Sequence, residues 1–189
     1  MFYCREKELS DLNRRYQEGR FECAIVYGRR RVGKTALINE FCKDKPTIFF
    51  SALNATSGEN LEALSRAIYE KDHKDGTSAP IYQSFENAFS DITRMAEKER
   101  LIFVIDEYPY LARAEQSISS RLQHIIDHLW QNGKLFLILC GSSMSFMENQ
   151  VLGYESPLYG RRTAQYKIEA LTYREITAFN PRLSCEKQA

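Results

Sequence analysis

The segment Gly28-Arg29-Arg30-Arg31-Val32-Gly33-Lys34-Thr35 fits the pattern G-x-x-x-x-G-K-[ST] at every fixed position. It stands between a short apolar run ending in glycine, ECAIVYG (22–28), and a stretch of helical character from Lys34 to about Cys42. A strand that turns through glycines into a helix start is the context in which this pattern carries chemistry. Glycines let the backbone wrap closely around phosphate oxygens. Loop amides and a helix N-terminus offer partial positive charge to an anion. Lys34 has the reach for the β- and γ-phosphates, and the Thr35 hydroxyl suits a Mg²⁺ ligand. Gly28, Arg31, Val32, Gly33, Lys34, Thr35 and Ala36 are therefore the predicted nucleotide-contacting residues of this loop, with Lys34 also given a catalytic part.

The rest of the chain alternates strand-like and helix-like segments. Leu9, Leu12 and Tyr16 predict a surface helix over 6–18. TIFFSA (47–52) predicts a second strand, and Leu61, Leu64 and Ile68 a helix with Ser57 as its cap. Turn residues mark 72–80 as a loop. Phe85, Phe89, Ile92 and Met95 form another helical stripe. Ile118, Leu122, Ile125 and Leu129 form a further one, closed by Asn132-Gly133. LIFVID (101–106), KLFLILCG (134–141) and QYKIEAL (165–171) supply three more strands, and a short helix, YREITAFN, is stopped by Pro181. Continuous apolar strands alternating with helices predict an α/β domain with a largely parallel sheet, whose ligands bind beyond the carboxyl ends of the strands.

Two further strand ends carry polar chemistry. LIFVID runs into Glu107, giving adjacent carboxylates. Asp106 is placed to hold Mg²⁺. Glu107, one residue on, is placed to act as general base on a water attacking a γ-phosphate. Small-molecule kinases and GTPases of the phosphate-loop class generally lack this neighbouring Glu, so its presence favours an ATPase. Because Pro109 biases Tyr108 towards an extended backbone, 108–110 is predicted to be a strand exit and not a helix start. KLFLILCG ends in Ser142 and Ser143, either of which could orient the attacking water or touch the γ-phosphate. Ser143 is carried as the catalytic candidate, against its competing use as a helix cap.

Composition removes several classes. Lys and Arg number 26 against 25 Asp and Glu, a net charge of +1, which argues against a general polyanion binder and makes the three loop arginines a solvated turn or a phosphate aid. No apolar run nears the roughly 18 residues that span a bilayer, and MFYCREKELS has no signal-peptide character. No membrane association is expected. Five scattered cysteines without a CxxC pair suit reduced thiols in the cytoplasm. His124 and His128 share a helix face but lack the Glu of H-E-x-x-H, so they are taken as solvated, and Trp130 as packing.

Taken together, the motifs resemble the archaeal-type ATPase family, a branch of the AAA+ and STAND-like P-loop ATPases. Phe2-Tyr3-Cys4-Arg5-Glu6-Lys7-Glu8-Leu9 resembles its F-x-x-R-E-x-E-L box. Tyr27 to Thr35 is similar to its phosphate loop. Asp106-Glu107-Tyr108-Pro109-Tyr110-Leu111 resembles its D-E-[FY]-P-Y-L element, and Cys140-Gly141-Ser142-Ser143 its sensor strand end. Ser156-Pro157-Leu158-Tyr159-Gly160-Arg161-Arg162-Thr163 resembles a signature near the end of the core.

The resemblance implies a three-layer P-loop NTPase with a five-stranded sheet in 5-1-4-3-2 order. It implies ATP and Mg²⁺ as ligands and Arg5 near the nucleotide. Arg161 and Arg162 would lie near the nucleotide or a neighbouring subunit's site, unless they form a loop salt bridge. A core over 1–171 and the start of an incomplete helical lid over 172–189 are expected. Turnover would then be weak, a homo-oligomer is among the partners considered, and a nucleic-acid or protein effector would act through regions absent from this chain. The alternative function is a nucleotide-gated switch that binds ATP or ADP with little hydrolysis.

Overall fold

Five runs pair into one parallel sheet in a computed structural model that describes residues 5–73 and 79–171. They are β1 (Glu22–Tyr27), β2 (Thr47–Ser51), β3 (Ile102–Asp106), β4 (Phe136–Gly141) and β5 (Ala164–Lys167), side by side in the order β2-β3-β4-β1-β5. Taken from the other edge this is the 5-1-4-3-2 order expected from the resemblance. Every residue of β1, β3 and β4 is buried, which is why they are continuous apolar runs, whereas the edge strand β2 alternates.

Side chains leave a strand alternately to its two faces, so the sheet has two cores. On one face Ile25, Phe50, Phe103, Leu137 and Leu139 pack with Leu64, Ile68, Phe89, Ile92, Leu122 and Trp130. Those partners come from α3 (Ser57–Asp72), α4 (Phe85–Lys98), α6 (Ile118–Ile125) and the π-helical turn that extends α6 through Ile126–Trp130. On the other face Val26, Val104, Phe136 and Ile138 meet Leu12 of α1 (Glu6–Gln17) and Leu37, Ile38 and Phe41 of α2 (Lys34–Cys42). Trp130 is packing, as expected: it is 2% exposed and its indole N–H donates to Thr93 Oγ1 at 2.8 Å.

Register sets the height of the strand ends. Tyr27 lies opposite Gly141, and Ser51 opposite Asp106. The residues that follow, Gly28, Glu107 and Ser142, therefore emerge along one rim. There the chain from β5 crosses close to the loop: the Ile168 N–H donates to the Tyr27 carbonyl at 2.7 Å, and a Cβ on Gly28 would lie 2.1 Å from the Ile168 carbonyl oxygen. Gly28→Ala is expected to lower stability by roughly 2–3 kcal/mol, read as a drop in the urea midpoint, because backbone must move on both sides of that contact.

Two local expectations need correction. Tyr108 is not a strand exit. It begins α5 (Tyr108–Ala114). Proline is favoured in the first turn of a helix, where its missing N–H has no partner to lose, and that preference outweighs the restriction Pro109 places on Tyr108. The cap of α3 is Thr56 and not Ser57. Thr56 Oγ1 accepts from the Glu59 N–H at 3.3 Å and the Glu59 carboxylate accepts from the Thr56 N–H at 2.9 Å. Ser57 instead donates to Glu115 at 2.8 Å.

The proposed lid over 172–189, the short helix stopped by Pro181 and Phe2-Tyr3-Cys4 lie outside the described residues, as does most of the 72–80 loop. Among the described residues no helix is long and apolar enough to cross a membrane. Cys23, Cys42 and Cys140 are free thiols. Burial pushes Cys23 up to about 12 and Cys42 up to about 11, so both are unreactive near neutral pH.

Candidate nucleotide site

The loop between β1 and α2 takes its shape from two left-handed residues. Gly33, at φ 94°, caps α2, and Arg31 stands at φ 65°, which is costly for a side chain with a Cβ. Left-handed turns of this kind gather peptide N–H groups on a concave side, where an anion is bound. Within α2 the Leu37 N–H bonds the Gly33 carbonyl at 3.0 Å, so the amides before it are the orphan donors of a helix start. Lys34 is buried and folds back across the loop. Its ammonium donates to the carbonyls of Gly28 at 3.0 Å and Arg29 at 2.8 Å. Gly28 is buried at the loop's entry, while Arg31 and Ala36 are exposed at its rim and on the first turn of α2.

Thr35 and Asp106 come together from α2 and β3. Thr35 Oγ1 donates to Asp106 Oδ2 at 3.1 Å, and Asp106 Oδ1 accepts from the Glu107 N–H at 2.9 Å. Asp106 is 7% exposed. Burial and the facing Asp106 carboxylate push the Cys140 thiol up, so the group behind the aspartate stays neutral. Two adjacent oxygen donors, one anionic, at the mouth of a phosphate loop fit a hard divalent cation such as Mg²⁺.

Glu107 follows in a left-handed conformation, φ 51° and ψ 42°, as the cap of α5. The twist carries its carboxylate towards β4. Oε2 accepts from Ser142 Oγ at 2.9 Å and from the Ser142 N–H at 3.3 Å. Of the two serines left open by the sequence, Ser142 is the one that touches Glu107. Ser143 precedes a short helix, Met144–Phe146, without a side-chain capping bond. Both serines line a cavity of about 260 Å³ with Glu107, Pro109, Tyr110, Arg30 and Arg113.

A second cavity of about 450 Å³ opens on the other side of the loop, lined by Arg29, Val32, Met144, Lys167, Ile168 and Glu169 among others. Arg5 reaches its wall, since its guanidinium donates to the Glu169 carbonyl and pairs with Glu8 at 3.5 Å. The site therefore brings together Gly28, Val32, Lys34, Thr35, Asp106, Glu107 and both serines, with Arg5 at the margin. Arg30 and Tyr110 join them, in a pairing that no spacing in the sequence predicts. They are 80 residues apart and meet only through the fold.

Other candidates are used elsewhere. Arg161 is committed to Asp127 through two bonds of 2.7 and 2.6 Å and to two backbone carbonyls, which is the loop salt bridge. Arg162 donates to the Leu152 carbonyl at 3.3 Å and lies over the Tyr159 ring, 6.0 Å from its centre. The His124 and His128 rings lie tilted at 56° with centres 4.4 Å apart, beside a separate cavity of about 550 Å³ between α4 and α6. Among the described residues no group of three or more His, Cys, Asp or Glu is placed to hold a metal.

Comparison with known proteins agrees with this geometry. A family model for an ATPase domain predominantly from Archaea matches residues 2–188. An uncharacterised protein of Methanocaldococcus jannaschii is 33% identical over 187 residues, 99% of this chain and 40% of that protein. An uncharacterised ATP-binding protein of the same organism is 49% identical over 45 residues, 24% of this chain and 76% of that protein. The chain thus spans well under half the length of the first of these relatives. Among solved structures, the Walker-type ATPase of Pyrococcus abyssi superposes with a TM-score of 0.72 at 22% identity, covering 96% of this chain and 57% of that one. The ORC1 protein of Aeropyrum pernix, in complex with DNA, gives 0.66 at 20%, covering 94% and 48%. At these identities the likeness to solved structures is one of fold. The match over 2–188, on a chain whose phosphate loop and acidic strand end meet at one rim, makes it a member of the family of ATPase domains found predominantly in Archaea, and so a nucleotide-binding P-loop protein.

Proposed function

We propose that the chain is a Mg²⁺-dependent ATPase core that converts ATP and water to ADP and phosphate. The observation that carries this is the contact of Thr35 Oγ1 with Asp106 Oδ2, directly beside a Glu107 carboxylate held by Ser142. Loop amides and Lys34 bind the phosphates. Lys34 exchanges its two loop carbonyls for phosphate oxygens from nearly the same position. Thr35 and Asp106 would hold Mg²⁺, which would supply positive charge against the phosphates. Ser142 fixes Oε2 of Glu107 and leaves Oε1 to take a proton from the attacking water. The new bond joins that water oxygen to the γ-phosphorus, the bond to the β-phosphate oxygen breaks, and ADP carries the released electron pair. Ser143, on the same cavity wall, faces the γ-phosphate.

Arg5 steadies the nucleoside side through Glu169. The buried thiols suit a cytoplasmic setting. Self-association and a nucleic-acid or protein effector belong to this reading as well. The DNA-bound ORC1 neighbour lends the nucleic-acid option support, while the near-neutral charge of this chain does not.

Phosphate release by the purified chain, followed with Mg²⁺ and then with excess EDTA, tests the reading. Release should require Mg²⁺, and Asp106→Asn should lower it by about 10²-fold or more. Release that is indifferent to both would overturn the assignment. One observation favours the alternative of a switch that binds and scarcely hydrolyses: Glu107 and Lys34 both rest on partners from the protein itself.

A further inference from the structure

The three loop arginines have different destinations. Arg29 lines the 450 Å³ cavity with Val32, Ile168 and Glu169, whereas Arg30 lines the 260 Å³ cavity with Glu107 and Ser142. Arg30 is not a freely solvated side chain. Its Nη2 donates to the Tyr110 hydroxyl at 2.7 Å. Tyr110 in turn sits in the first turn of α5, its N–H bonded to the Glu107 carbonyl at 2.9 Å. One turn of backbone therefore positions both the Glu107 carboxylate and the Arg30 guanidinium. Among the described residues Arg30 has no carboxylate partner, in contrast to Arg161 on Asp127. Its remaining N–H donors are left to an anion in the cavity.

We propose that Arg30, held by Tyr110, supplies within the same chain the guanidinium that contacts the γ-phosphoryl group during hydrolysis. Arg30 is the catalytic residue of this pair and Tyr110 its positioning residue. The planar guanidinium spreads over the equatorial oxygens as their charge shifts towards the leaving β-phosphate. Arg29, on the nucleoside side, serves ATP and ADP alike. The proposal rests on the hydrolysis reading above.

The test uses the full chain with Arg30→Ala, Arg30→Lys, Tyr110→Phe, Arg29→Ala and Lys34→Ala. Calorimetry gives the affinities for ADP and for a non-hydrolysable ATP analogue, and single-turnover phosphate release gives the rate. Arg30→Ala should slow turnover by roughly 10³-fold. It should also cut the preference for the ATP analogue over ADP by about tenfold while leaving ADP affinity unchanged. Arg30→Lys should not restore the rate, because a point charge lacks the fork. Tyr110→Phe should give a smaller loss of rate, about tenfold, with the same ADP affinity. Arg29→Ala should weaken both nucleotides equally. If Arg30→Ala keeps the normal rate and the normal nucleotide preference while Lys34→Ala still abolishes binding, the proposal fails and the hydrolysis reading stands. If Lys34→Ala binds normally, the hydrolysis reading fails and takes this proposal with it. Should turnover be too slow to follow, the nucleotide preference alone decides. Thermal melts of Arg30→Ala, an exposed position, show whether the fold is kept.

Discussion

Replacing Lys34 with alanine is expected to abolish measurable binding of ATP and ADP, a loss of at least about 10²-fold in affinity. The ammonium sits inside the loop on the Gly28 and Arg29 carbonyls, so it is already at the point where phosphate oxygens would replace them. A nucleotide entering the variant would meet those carbonyl dipoles with no cation between. Hydrogen bonds to charged groups are worth roughly 1.5–3 kcal/mol each, and under the proposed reading Lys34 would make at least one to a multiply charged ligand. Calorimetric titration with either nucleotide checks this. An affinity within twofold of the unmodified chain would remove the phosphate-loop reading. The thermal midpoint should fall modestly, because the Gly28 and Arg29 carbonyls lose their buried donor while alanine keeps the helix propensity of the first turn of α2.

Glu107→Gln should leave ATP binding intact and lower turnover by roughly 10²–10⁴-fold. Glutamine keeps the size of the side chain, and its carbonyl oxygen still accepts from Ser142, but it no longer takes up a proton. An unchanged rate would end the general-base assignment. If the unmodified chain already turns over no faster than the variant, the switch alternative is the better account. The backbone adds an independent readout. Glu107 stands at φ 51°, a conformation that costs a residue with a Cβ on the order of 1 kcal/mol and glycine almost nothing. Glu107→Gly should therefore be inactive yet no less stable, measured as an unchanged or higher urea midpoint. A carboxylate kept at a strained position is what a functional demand produces.

The strands were legible because three of them are buried on both faces and leave no polar interruption. Their order was legible only through the resemblance, since periodicity does not say which buried run neighbours which. Thr56 was legible in principle, as Glu59 stands three residues on and completes a capping box, while Ser57 has no such partner. The start of α5 was misread because two proline rules compete at Tyr108 and only the surrounding packing chooses between them. Ser142 could not be separated from Ser143 in the sequence. The choice is made by how the chain leaves β4, and there Gly141 is pressed so closely that a Cβ would meet the Met147 sulfur at 2.6 Å and Pro109 Cδ at 2.9 Å. Arg30 was legible only as one of three loop arginines and Tyr110 only as part of the D-E-[FY]-P-Y-L element; that the two meet was not, because their contact is purely tertiary.

The meeting of Gly28 with the Ile168 carbonyl has a mechanical consequence. Among the described residues β5 is an edge strand, paired with β1 alone, and the chain at Ile168 comes within touching distance of the phosphate loop. Arg5 fastens the start of α1 to the same stretch through the Glu169 carbonyl. A shift of the backbone at Ile168 would therefore be felt at Gly28. The contact is backbone to backbone, so no side chain stands between β5's end and the peptide that opens the loop. Displacement of that edge strand and occupancy of the loop would then act on the same pair of peptides.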